Sequence, residues 1–200
     1  MNFNQTYELY LVFAPTVSES DIILKAETIS KNLEKELEVL NLSIDNQGLR
    51  KTSYPIKKHW SGHYVSITFE VTLENLRKVN TFVNKFNIDS SIIRYIITNE
   101  TEFLKQKSKE TVSTSEIKNH RELNKTVGKF QKKKCIAKHN NLRVVDYQDV
   151  SYLGQFTSPY AKIFGRSRTG TSAKFQRKIT QAIKRARHIG FMPFTTKHYT

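Results

Sequence analysis

The stretch 62-GHYVSITFEVT-72 alternates without a break. Val65, Ile67, Phe69 and Val71 fall on one side, and Tyr64, Ser66, Thr68 and Glu70 on the other. A period of two marks a β-strand with one face in a core. Upstream, 7-YELYLVFA-14 reads as a second strand from its length and its aromatic and aliphatic content, and Pro15 ends it. From Asp21, the residues Ile22, Ile23, Ala26, Ile29, Leu33, Leu37 and Leu40 recur at helical spacing, with Ser18 or Ser20 as the cap. Residues 43–58 form a less regular strand in which Gly48 can supply a bulge and Pro55 argues for an edge position. A helix over Leu73–Phe86 carries Leu76, Val79, Phe82, Val83 and Phe86 as its stripe, and 91-SIIRYIIT-98 is the last strand. The order is β-α-β-β-α-β, so residues 1–98 are expected to form an α+β domain of the ferredoxin-like, split βαβ plan.

Two helices cover only one face of a four-stranded sheet. The covered face should take Leu9, Leu11, Phe13, Val65, Ile67 and Phe69. The other face keeps Tyr10, Val12, Tyr64, Ile92 and Ile96, and is too apolar for bare water. It is read here as the interface between two modules of the chain.

Charge divides the chain more sharply than hydropathy does. The 200 residues carry 33 Lys and Arg against 18 Asp and Glu, a net charge of +15. Residues 1–98 are neutral, residues 99–150 carry +5, and residues 151–200 carry +10 with no acid among them. Such an excess points to a polyanionic partner, nucleic acid or an anionic membrane surface. Residues 99–134, polar and proline-free, are expected to be a flexible, basic linker ending in Lys132-Lys133-Lys134. Residues 135–200 are expected to form a small, mainly helical module. In it Asp146 or Asp149 caps a short helix with Val150, Leu153 and Phe156. No apolar run approaches a membrane span, and the N-terminus lacks the features of a signal peptide. The one cysteine, Cys135, excludes an intrachain disulfide, and with His139 it makes at most half a zinc site, so neither metal nor cofactor is expected.

The segment 173-AKFQRKITQAIKRARHIGFMPF-194 holds six Lys or Arg and no acid. Phe175, Ile179, Ala182, Ile183, Ala186 and Ile189 form one helical stripe, with Thr171 or Ser172 as cap and Gly190 and Pro193 as stops. Lys174, Arg177, Lys178, Lys184, Arg185 and Arg187 take the rest of the circumference. Like charges at this spacing repel by a few tenths of a kcal/mol per pair, and a phosphate backbone reverses that cost through counterion release. A solvated basic face is the plain alternative. A membrane-surface helix fits less well, because the stripe is rich in Ala and lacks Trp. Just before the helix, 166-RSRTGTSAK-174 sets Arg166, Arg168, Thr169 and Thr171 where phosphate oxygens are readily bound, without the spacing of a P-loop. His188 is a further candidate RNA contact.

The rear segment resembles ribosomal protein eighteen of the bacterial small subunit. The resemblance rests on Asp146-Tyr147, Lys162-Ile163, Thr169-Gly170-Thr171, Ala173-Lys174, Gln176-Arg177, Ala182-Ile183-Lys184-Arg185-Ala186-Arg187 and Pro193-Phe194. The front resembles small-subunit ribosomal protein six in Tyr7-Glu8, Pro15, Gly48-Leu49-Arg50-Lys51, Tyr54-Pro55-Ile56, Gly62-His63-Tyr64 and Ile93-Arg94-Tyr95. The chain departs from the eighteenth protein's pattern at Ser167, where an arginine is common, and in having Cys135 in place of paired cysteines. The resemblance implies a fusion of two neighbouring platform proteins that bind small-subunit rRNA and neighbouring small-subunit ribosomal proteins. It implies no membrane and no small-molecule substrate. The location implied is the ribosome, in the cytoplasm, or in an organelle matrix if the gene is an organelle's. Two other classes compete. One is a non-ribosomal single-strand RNA-binding or autoregulatory mRNA-binding protein, since the RNA-recognition motif shares this strand order. The other is an enzyme, which is not expected: His59, His63 and His188 lack a nucleophile or carboxylate at diagnostic spacing.

Overall fold

The computed structural model describes residues 4–101 and 145–196. Most of the expected linker, with Lys132, Lys133 and Lys134, and the start of the expected rear module, with Cys135 and His139, lie outside the described residues. The chain divides into two compact units, residues 1–101 with 185–200, and residues 102–184.

The first unit is a four-stranded antiparallel sheet in the order β2-β3-β1-β4, with two helices between its strands. The strands are β1 (Gln5–Phe13), β2 (Leu40–Ile56), β3 (His59–Val71) and β4 (Ile92–Asn99). Helix α1 (Glu19–Leu37) starts at Ser18, whose hydroxyl accepts the Asp21 N–H at 3.2 Å. It stops at Glu38 in the left-handed region, so Leu40, expected on its stripe, instead opens β2. Helix α2 (Leu76–Asn84) is flanked by single 3-10 turns, Leu73–Asn75 and Lys85–Asn87. The ferredoxin-like plan is therefore as expected, with β2 on the edge, where Pro55 costs no ladder bond.

The main core lies between the helices and one sheet face. Leu9, Leu11 and Phe13 of β1 meet Val65, Ile67, Phe69 and Val71 of β3 and the buried faces of α1 and α2. The opposite face carries a second cluster, in which Tyr10, Val12 and Tyr64 pack with Ile189, Phe191 and Ile96. Ile92, expected there, belongs to the helix-covered core instead. The pairing of β1 with β4 slips between Val12 and Phe13, where Val12 faces Arg94 and Phe13 faces Ile92. Ile93 is the extra residue, and a bulge of this kind reverses which side its neighbours face.

Residues 185–196 supply the cover for that second face. Helix α5 (Ala173–Ile189) ends in a pair of backbone bonds, Phe191 N to Ala186 O at 2.9 Å and Gly190 N to Arg187 O at 3.1 Å. This is the Schellman arrangement, and Gly190 adopts the φ of 94° that it requires. The carbonyls of His188 and Ile189 receive no backbone donor from this arrangement, and the sheet supplies hydroxyls to the helix end. Tyr54 Oη donates to Arg187 O at 2.7 Å, and Tyr64 Oη donates to Ile189 O at 2.9 Å. The Nε2 of His188 lies 3.1 Å from Tyr95 O. Beyond the helix, Ser53 N donates to Gly190 O and Ser53 Oγ to Phe191 O, each at 2.7 Å. The Phe191 ring stacks on Tyr64 at 5.2 Å and meets Tyr10 edge-on at 5.9 Å.

The second unit is described from residue 145. Asp149 caps the short helix α3 (Val150–Gly154) by accepting the Tyr152 N–H at 3.0 Å. A tight loop follows, closed by Ser158 N to Lys162 O and Phe164 N to Phe156 O, both at 2.8 Å. Helix α4 (Arg166–Thr169) is one turn, stopped by Gly170 at φ 68°. Tyr152, Leu153 and Phe156, together with Phe175, Ile179, Ala182 and Ile183 of α5, are buried.

Two outcomes follow. A Cβ at Gly190 would sit 2.9 Å from Ile56 Cδ1 and 3.2 Å from Thr52 Cγ2, at a φ that side chains resist. Gly190→Ala should therefore cost about 1–2 kcal/mol or more, read from urea unfolding of the full chain. Burial pushes the Tyr64 hydroxyl up to about 12 and raises that of Tyr54 as well. Their contribution to stability is complete below the ordinary tyrosine value near ~10 and is lost as pH rises through the folded values. Tyr64→Phe should lose about 1–3 kcal/mol at neutral pH and flatten the alkaline fall in stability between pH ~10 and ~12.

Candidate nucleic-acid interface

Helix α5 owes its start to Ser172, whose hydroxyl accepts the Phe175 N–H at 3.3 Å while its carbonyl accepts the Gln176 N–H at 2.9 Å. With the apolar stripe buried, the outward ridge of the helix is fixed by its period. Arg177, Gln181, Lys184 and His188 follow one another at steps of four, three and four, and all four are exposed. Lys174 is exposed beside them, and Lys178 and Arg185 are half-buried on the flank.

Within the second unit, part of this ridge borders a shallow, open groove of about 420 Å³. It is lined by Arg166, Arg177 and Lys184, with Ala173, Gln176, Thr180 and Gln181 between them. Three cations on an open wall with no carboxylate among the lining residues set a positive field suited to an anionic partner. The residues 166–171 before the helix are braced rather than loose. Arg166 Nε donates to Thr171 O at 3.2 Å, and the Arg168 guanidinium lies 3.8 Å from the centre of the Phe164 ring. Arg166 and Arg168 both remain exposed.

Thr169 and Thr171 depart from the expectation. Both are buried, and their hydroxyls bond to each other at 3.0 Å. Thr171 Oγ1 also donates to Gln176 Oε1, and Gln176 Nε2 donates to Phe164 O at 2.9 Å. These hydroxyls shape the turn instead of meeting solvent, because a turn entering a helix has its own backbone groups to satisfy. Gln176, Thr180 and Gln181 were not singled out by charge. Their spacing was the available signal, since Gln181 stands four residues from Arg177 and Thr180 four from Gln176.

Arg187 and His188 differ from the exposed cations. The half-buried Arg187 guanidinium lies 5.9 Å from the Phe194 ring centre, and burial lowers its pKa, though an arginine keeps its charge. Phe194 in turn meets Tyr54 edge-on at 5.3 Å. Among the described residues, no group of three or more His, Cys, Asp or Glu is placed to hold a metal ion. No described helix is long and apolar enough to cross a membrane.

Comparison with known proteins finds a separate match for each end of the chain. A family model described as Ribosomal protein S18 matches residues 141–192, and one described as Ribosomal protein S6 matches residues 6–99. Over 66 residues the chain is 46% identical to the small ribosomal subunit protein bS18 of Parabacteroides distasonis, covering 33% of this chain and 74% of that one. It is 47% identical over 66 residues to bS18 of Bacteroides fragilis strain ATCC 25285, covering 33% and 73%. The crystal structure of 30S ribosomal protein S6 from Thermotoga maritima is similar with a TM-score of 0.47 and 25% identity, covering 55% of this chain and 99% of that one.

The groove yields a direct test. Arg177→Glu with Lys184→Glu should weaken RNA binding and reduce the slope of log K against log salt by roughly 0.7–0.9 per lost phosphate contact. Filter binding across a salt series reads both, and circular dichroism should show the helix intact.

Proposed function

The chain belongs to the ribosomal protein S18 family at its rear and to the ribosomal protein S6 family at its front, and from this we propose that one polypeptide brings both proteins to the ribosome already joined. It is a structural constituent of the small ribosomal subunit, in contact with rRNA and other ribosomal proteins, and it is not an enzyme. In our reading its place is the platform, where its neighbours are small-subunit proteins and rRNA rather than a membrane or a small molecule. The rRNA lies along the cationic ridge and groove, with Arg166, Arg177 and Lys184 as principal phosphate contacts. Lys174, Lys178, Arg168 and Arg185 extend the same field. Arg187 and His188 act closer to the sheet, at the C-terminal end of the helix.

One observation carries this reading above the others. The Tyr10–Tyr64 face, which a free RNA-recognition domain would need open for base stacking, is completely buried. A protein built to read single strands on its sheet would not close that face with its own C-terminal segment. A protein built from two ribosomal partners has reason to, because the apolar face of one is then covered by the other at a high effective concentration. The two joined families also enforce equal amounts of both on each subunit.

Sucrose-gradient sedimentation of a lysate tests this. The intact chain should travel with small subunits and stay with them through a high-salt wash. Protein left at the top of the gradient at both salt levels would overturn the proposal.

A further inference from the structure

The front unit is neutral in sum, yet its charges are sorted. Helix α1 holds Glu19, Asp21, Glu27, Glu34 and Glu36 against Lys25, Lys31 and Lys35. The part of the β2–β3 hairpin around its turn is the reverse: residues 46–69 contain Arg50, Lys51, Lys57 and Lys58 and not one acid, the nearest being Asp45 and Glu70 at either end. The hairpin closes through a two-residue turn, since Ile56 pairs with His59. Both turn residues, Lys57 and Lys58, have positive φ, 46° and 71°. That is the left-handed geometry of a tight hairpin turn, which Asn and Gly adopt readily and lysine does not. The fold therefore tolerates an unfavourable residue type twice in succession at an exposed turn. Strain of this kind is often kept where the side chains are used.

Beside this turn stands Trp60, the only tryptophan of the chain, half exposed. Its direction follows from the strand. A Cβ on Gly62 would meet Val12 Cγ1 at 2.7 Å, so position 62 points to the outer face, as Tyr64 does, and position 60 points the same way. Arg50 pairs with Gly62, and Arg94 pairs with Val12, which puts both arginines on that outer face. An exposed indole beside cations, on the acid-free stretch 46–69 of the hairpin, has the two parts of a single-strand site: a stacking surface and a charge that follows the backbone.

We infer that the tip of the β2–β3 hairpin is a second RNA contact, in which Trp60 stacks on an unpaired base and Lys58 and Arg50 meet the flanking phosphates. The inference rests on the ribosomal RNA-binding reading above, but it uses a different part of the chain from helix α5.

Because Trp60 is the sole tryptophan, its emission reports this contact alone. The full chain would be titrated with a fluorescein-labelled single-stranded RNA of roughly 12 nucleotides, and with a blunt RNA duplex of equal length. Anisotropy of the label measures binding, and a parallel titration with unlabelled RNA measures indole emission. The expected result is quenching that saturates with the anisotropy for the single strand and is much smaller for the duplex. Trp60→Ala should bind the single strand about tenfold more weakly with an unchanged salt slope, and Trp60→Phe should recover most of that loss. Lys58→Glu should weaken binding and make the salt slope shallower. RNA that binds while indole emission stays constant would overturn the hairpin contact and leave the α5 groove intact. An absence of any binding to RNA, isolated or in small subunits, would overturn the hairpin contact and the RNA-binding reading together. Emission that changes only on assembly into complete small subunits, and not with rRNA alone, would assign the tip to a neighbouring protein and also overturn the inference.

Discussion

The end of a cationic helix is the point on which the first unit depends. A helix C-terminus exposes carbonyls with no partner of their own, at the negative end of the helix dipole. Here two tyrosines of the sheet, Tyr54 and Tyr64, donate to the carbonyls of Arg187 and Ile189. The same residues close the outer face of the sheet, because Ile189 and Phe191 pack on Tyr10, Val12 and Tyr64. One arrangement thus resolves two otherwise costly problems: unsatisfied polar groups on the helix and an uncovered apolar face on the sheet. Tyrosine suits the junction because its ring belongs to the apolar cluster while its hydroxyl reaches the backbone. Glycine is equally bound by the geometry, since Gly190 must turn left-handed and lie against Thr52 and Ile56 at once.

Much of this was legible in the sequence, and the parts that were not share a cause. The alternation over 62–72 marked both faces of β3, Pro55 marked the edge, and the helical stripe from Phe175 to Ile189 marked a buried side. These are local signals, and local periodicity reads them. Ile92 was misplaced because the bulge at Ile93 depends on the register between β1 and β4, which neither strand contains alone. Leu40 continued the helical spacing, but the chain leaves the helix at Glu38, which adopts the left-handed conformation without the glycine that usually announces it. Within the candidate site, the arginines and lysines could be read from charge. Thr169 and Thr171 could not be assigned correctly that way, because hydroxyls that bind phosphate and hydroxyls that brace a turn look identical in a sequence.

Charge and shape are separated in this chain in a way that suits an assembly protein. The apolar stripe of α5 is spent on packing, which leaves cations to define its outer surface. Repulsion among them weakens the helix in isolation, and an RNA backbone turns the same charges into binding energy. The front unit sets five acids on α1 and none between residues 46 and 69 of the β2–β3 hairpin, so a molecule neutral in its front half still presents an oriented field.

The Ser53 amide reports most directly on whether the helix end is held by the sheet. It sits on the edge strand β2 and donates to Gly190 O at 2.7 Å. Its hydrogen exchange in the full chain, followed by NMR at neutral pH, should be strongly protected, and that protection should fall when Tyr54 and Tyr64 are both replaced by phenylalanine. Exchange as fast as that of an exposed edge-strand amide in the unaltered chain would contradict the account.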